Sequence, residues 1–205
     1  MNLQFLSRKI FKKLNFFSRK INWFIIFIKN SDFESLFHSF FIALEIKPYS
    51  LNRIIHIKKN KYYIRGGTTD YFYVYENWEK ETLKLIESLK PNVFVNIGAC
   101  IGEWPIKLKN FNMKFHLFEP SKSSLKSAKI NALLNDVDVK FYETSLGNSN
   151  KNITLVEPSM NRGTSFIKED YEFNKGLEAS MVKMEKLDDY KDTIFSDQGL
   201  KYLIL

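Results

Sequence analysis

Four residues of this chain have the types and spacing to do chemistry: Asn96, Gly98, Gly102 and Glu119. Asn96 ends the apolar run Val93-Phe94-Val95, and Gly98 and Gly102 follow two and six residues later. Glycines placed there let the chain turn tightly and bring backbone N–H groups close to a ligand. Glu119 closes a second apolar run, Phe115-His116-Leu117-Phe118. A carboxylate at such a place can take both hydroxyls of a ribose in a bidentate pair of hydrogen bonds. The chemistry these residues point to is the holding of a nucleoside.

Positioning them takes a strand, a glycine turn, a short helix and a second strand. Apolar runs rich in Val and Phe suit strands buried on both faces of a parallel sheet. This unit admits two kinds of cofactor, a nicotinamide or flavin dinucleotide and S-adenosylmethionine. The dinucleotide fingerprint is Gly-x-Gly-x-x-Gly. Here the spacing is Asn96-x-Gly98-x-x-x-Gly102, without the middle glycine whose bare backbone admits a pyrophosphate. S-adenosylmethionine has no phosphate to accommodate, and the polar Asn96 with the glycine turn can hold its amino acid end. Its methyl group is already activated, so an acceptor held in line reacts with proximity as the main contribution. A general base assists when the acceptor is a hydroxyl. No residue of the sequence identifies itself as that base.

The chain has 205 residues, enough for one α/β domain and an extension. Its single cysteine, Cys100, forbids an internal disulfide and fits a reducing, cytoplasmic setting. No Cys/His group has metal-ligand spacing, and His38, His56 and His116 lie far apart, so no metal site is expected. The net charge of +8 is uneven. Residues 1–65 hold 13 Lys/Arg against 3 Asp/Glu, while residues 66–205 hold 18 against 20. In the basic front, Phe5, Ile10, Leu14, Phe17 and Ile21 recur at helical spacing, with lysines and arginines between them. The apolar run Trp23–Ile28 falls far short of the ~20 residues that cross a membrane. Two readings stay open for residues 1–30: a helix lying on an anionic membrane as a peripheral contact, or a helical extension packed on the rest of the chain. A second helix, capped by Ser31 or Asp32, ends by Pro48.

The expected division is a basic helical extension over 1–50, a β-hairpin and connecting turn over 51–76, and the α/β domain over 77–205. In the hairpin, Ile54–Ile57 and Tyr62–Arg65 flank Lys58–Lys61. Asn77 or Trp78 opens a helix with Leu83, Ile86 and Leu89 on its apolar face. Ser121 caps another that places Leu125, Ala128, Ala132 and Leu133 against the sheet. Val137–Glu143 is a third strand, Ile153–Val156 an antiparallel fourth and Met181–Met184 a fifth; Leu187–Tyr190 starts a short helix. The chain closes on the apolar Tyr202-Leu203-Ile204-Leu205, the opening of a further core strand, so the sheet is expected to be incomplete.

From about Arg65 to Leu205 the sequence resembles the FkbM-type S-adenosylmethionine-dependent methyltransferases. The resemblance is carried by Arg65-Gly66-Gly67-Thr68-Thr69-Asp70, Val95–Gly102, Phe118-Glu119-Pro120, Asn131–Asn135, Ser145-Leu146-Gly147-Asn148, Gly163-Thr164-Ser165 and Lys186–Tyr190. Asn96 stands where the family has Asp, and Cys100 where it has Asn. The resemblance implies a Rossmann-like class I methyltransferase sheet, S-adenosylmethionine as cofactor and O-methylation without a metal. It implies that Gly98, Ala99 and Gly102 line the methionine and ribose side, that Glu119 takes the ribose hydroxyls, and that Thr144 and Ser145 lie near the adenine. Arg65 and Asp70 are either at the substrate mouth or in a surface turn, and His116 is structural. The acceptor class implied is a small molecule or glycan, such as a sugar or natural-product hydroxyl.

Other functions remain on the same residues. A nucleotide-dependent oxidoreductase fits the sheet but not the missing glycine. A truncated methyltransferase-like binding module without activity fits Asn96, Cys100 and the abrupt ending. Nucleic acid is not expected as a partner, because the catalytic half is slightly acidic and carries no base-reading motif.

Overall fold

The computed structural model describes residues 52–74, 79–158, 162–167, 177–196 and 201–204. The expected extension over 1–50, with both of its helices, lies outside the described residues. The first described unit is a hairpin of β1 (Arg53–Ile57) and β2 (Asn60–Ile64). Its turn is Lys58-Lys59 alone, tighter than the four residues expected, and Lys58 adopts a left-handed φ of 55°. Ile55, Ile57, Tyr62 and Ile64 alternate onto one face and pack against Val74, Ile101 and Ile106. A short helix, α1 (Tyr71–Val74), follows. The next, α2 (Lys80–Leu89), buries Ile86, while Leu89, expected on its apolar face, is exposed.

Four parallel strands form the sheet on which everything else rests. They are β3 (Val93–Ile97), β4 (Lys114–Phe118), β5 (Lys140–Tyr142) and β10 (Tyr202–Ile204), in the order β10-β3-β4-β5. The registers Val95↔His116 and Ile204↔Val95 fix β3 between its neighbours. Both faces are covered, as a parallel sheet requires. Phe94, Phe115 and Leu117 pack with Ile86, Trp104 and Leu108 on one side; Val93, Val95 and Phe118 pack with Ile194 and Tyr190 on the other. From β3 the chain steps outward to β4 through α3 (Glu103–Lys107), then to β5 through α4 (Lys122–Leu134). It returns to the opposite side of β3 with β10. The strand order therefore reverses at β3, and in open α/β sheets ligands bind outside the carboxyl ends of the strands at such a point.

Ser121 caps α4 as expected, its hydroxyl accepting the Ser124 N–H at 3.3 Å. Leu125, Ala128 and Ala132 are buried, but Leu133 is 79% exposed. The reason is that α4 presses on α3 and the hairpin: Ala128 lies against Gly102, and Asn131 and Asn135 bond to β2. The third strand, expected from Val137 to Glu143, is confined to β5.

A second sheet, β6-β9-β7-β8, stands beside the first in sequence. It contains β6 (Ser145–Leu146), β7 (Lys151–Pro158), β8 (Phe166–Ile167) and β9 (Leu177–Glu185). The strand expected over Ile153–Val156 is antiparallel and longer, pairing with β9 from Lys151↔Met184 to Pro158↔Leu177. After β9, a 3-10 turn over Leu187–Tyr190 leads into α5 (Lys191–Ile194), as the sequence predicts for that segment.

Candidate functional site

The site is built on the turn that leaves β3. Asn96 is buried near the end of that strand, in register with Leu117. Gly98 has φ +78°, and a Cβ added to it would meet nothing within 4 Å, so the space beside its backbone is open. Gly102 has φ +70°, and a Cβ there would stand 2.9 Å from the Cβ of Ala128. Glycine is thus required at 102 twice over, for the backbone conformation and for the approach of α4. Cys100 takes the left-handed conformation without being glycine, at φ 48°. Asn tolerates that region better than most residues.

Glu119 meets this turn. The Cys100 N–H donates to its Oε2 at 2.7 Å, and the Ser121 N–H donates to its Oε1 at 2.8 Å. Each oxygen thus accepts one backbone donor and keeps a lone pair for another, which is the capacity a pair of ribose hydroxyls needs. Burial pushes the carboxyl up to about 7, with the two N–H groups opposing and the charge of Glu157 adding to the rise. Three more N–H groups of the turn are engaged within the protein. Gly98 and Ala99 both donate to the Phe118 carbonyl, at 2.9 and 3.1 Å, and Gly102 donates to the Ala99 carbonyl at 2.8 Å. A pyrophosphate cradle needs such groups pointing at the ligand.

The structure therefore joins Gly98, Ala99, Gly102 and Glu119 around one turn, with Asn96 two residues ahead of Gly98. Ser145 opens β6 opposite Met184, and the neighbouring Thr144 hydroxyl donates to the Lys183 carbonyl at 3.1 Å. No hydrogen bond among the described residues links either of them to Glu119. His116 is buried against Tyr142, its Nδ1 2.9 Å from the phenol oxygen and the rings stacked. Burial lowers its pKa, and the Lys140 and Lys114 charges lower it further, so the ring is neutral near pH 7.

Arg65 and Asp70 are withdrawn from the surface and do not lie in a surface turn. They form a buried bidentate pair, with Nε and Nη2 each 2.7 Å from a carboxylate oxygen. Arg65 Nη1 reaches on to the hydroxyls of Ser123 and Ser124, at 3.1 and 2.9 Å. Three further residues are not singled out by the sequence patterns as parts of the site. Glu157, an acid at the end of an apolar strand, is buried and accepts from the Ser121 hydroxyl. Asn131 donates to the Ile101 carbonyl at 2.9 Å and so holds the glycine turn from below. Glu103, directly after Gly102, is fully enclosed, and burial pushes it up to about 7 against the pull of Lys107. Cys100 is driven upward as well, first by burial and then by the Glu103 and Asp70 charges, so its thiol stays protonated and is a poor nucleophile.

No protein-family model matches this chain, and no curated protein sequence does. Two solved structures resemble it at low similarity. One is a tRNA (uracil-54, C5)-methyltransferase of Pyrococcus abyssi in complex with S-adenosyl-L-homocysteine: 13% identity, TM-score 0.33, covering 48% of this chain and 28% of that one. The other is a proposed transferase of Pyrococcus horikoshii: 11% identity, TM-score 0.34, covering 72% of this chain and 80% of that one. This chain thus spans well under a third of the length of the first.

Proposed function

We propose that this chain is an S-adenosylmethionine-dependent methyltransferase of the FkbM type, acting on a hydroxyl of a sugar or small natural product. One observation carries the cofactor: Glu119 meets the glycine turn at the reversal of the strand order, while the N–H groups of Gly98, Ala99, Cys100 and Gly102 are engaged within the protein. The carboxylate suits a ribose, and the occupied N–H groups disfavour a pyrophosphate. When bound, S-adenosylmethionine supplies an activated methyl group. The chain's part is to hold the ribose through Glu119, to take the amino acid end along Asn96, Gly98, Ala99 and Gly102, and to present the adenine side to the segment around Ser145. The hydroxyl acceptor rests on the sequence resemblance. A cytoplasmic location, with peripheral membrane contact through residues 1–30, belongs to the same proposal; among the described residues no helix is long and apolar enough to cross a membrane.

Calorimetric titration with S-adenosylhomocysteine and with NAD tests the reading. The homocysteine product binds, NAD does not, and Glu119→Ala weakens the product at least tenfold, the loss expected for hydrogen bonds to a charged group. Binding of NAD alone would favour an oxidoreductase. Binding of neither would favour a module that has lost the cofactor.

A further inference from the structure

Glu103 holds an unanswered valence. Among the described residues its Oε2 is buried with no hydrogen-bond partner, and the residue is 5% exposed. A buried carboxylate oxygen without a donor is costly enough that native structures seldom keep one without a use for it. Glu103 is the first residue of α3 and follows Gly102 directly. Its charge bears on Cys100, inside the turn. Lys107, one turn along the same helix, directs its Nζ to the Tyr73 carbonyl at 2.7 Å and lies over the Trp104 ring. The orphan oxygen thus has no donor among the described residues, and Glu103 directly follows the turn that takes the amino acid end of the cofactor.

That end carries an ammonium, with three N–H donors and a positive charge. Asn96 can accept a hydrogen bond from it but brings no charge to match it. We propose that Glu103 is the ammonium ligand, its Oε2 accepting from the α-amino group and supplying the negative charge that the end of β3 lacks. The assignment rests on the methyltransferase reading and goes beyond it by naming the acid. A cation at this place also favours the ionised carboxylate over the protonated form that burial favours.

The test compares S-adenosylhomocysteine with its deamino analogue, which has hydrogen in place of the α-amino group, by calorimetry on the full chain. Wild type binds the analogue at least tenfold more weakly, and Glu103→Gln binds the two alike to within about twofold. Equal affinities in wild type overturn the assignment, and so does a Glu103→Gln variant that keeps the full preference. If thermal melting shows that Glu103→Gln does not fold, Glu103→Asp, its carboxylate drawn back by one methylene, replaces it; a preference kept in full there overturns the assignment. Wild type that binds neither ligand overturns the methyltransferase reading, and the ligand assignment with it.

Discussion

Two buried carboxyls set the pH behaviour of the apo protein. Glu119 and Glu103 both rise from the ordinary 4.5 to about 7, burial being the main cause for each. Between those values the folded chain holds protons that the unfolded chain has released. Stability is therefore fully present below about pH 4.5 and falls as pH rises towards 7, by at most about 3 kcal/mol for each group. Urea unfolding at pH 5 and pH 8 should show the higher free energy at pH 5, and Glu103→Gln should remove its share of the difference. A profile without that slope would contradict the burial of these charges. Glu119 was legible in the sequence because it closes an apolar run two residues ahead of a helix cap. Glu103 was not, since nothing in Gly102-Glu103-Trp104 tells which way a side chain is enclosed. The Arg65–Asp70 pair was not legible for the same reason: the hydroxyls that complete it, on Ser123 and Ser124, lie 58 and 59 residues away in sequence.

At the scale of elements, period and composition located the strands better than they located the ends of the strands. Val93–Ile97 and Lys114–Phe118 are enclosed apolar runs and were plain. β9 was underestimated because Glu178-Ala179-Ser180 has no strand signature; the ladder to β7 forms from backbone groups and needs none. Leu133 was assigned to the core because the helix was assumed to lie on the sheet, whereas its inner face meets Gly102 and the hairpin. The hairpin turn carries its own prediction. Lys58 stands at a left-handed φ of 55° with an exposed side chain, where glycine is unstrained. Lys58→Gly should raise the unfolding free energy by about 1 kcal/mol in urea titration, offset only in part by the added freedom of the unfolded chain. Loss of stability would show that the lysine makes a contact worth more than the strain.

For the molecule as a whole, the parallel sheet is the centre of resistance to unfolding. β3 is hydrogen-bonded on both sides, with Phe94 and Val95 at 0% exposure. Its amides should exchange with solvent only on global unfolding, while those of Leu177–Lys183 that face away from β7 should exchange far sooner. Hydrogen-exchange mass spectrometry checks the contrast; equal protection would mean that the outer side of β9 is covered. The hairpin is bound to this centre in a different manner. Asn131 bonds the N–H and carbonyl of Tyr63, and Asn135 those of Lys61. Both asparagines grip main chain, which every residue type supplies, so the outward side chains of β2 are free to diverge between relatives without loosening the joint. Inserting or deleting a single residue in that strand is another matter: it would turn the two gripped peptides to the opposite side, and the glycine turn, held by the same Asn131, would lose its support along with the hairpin.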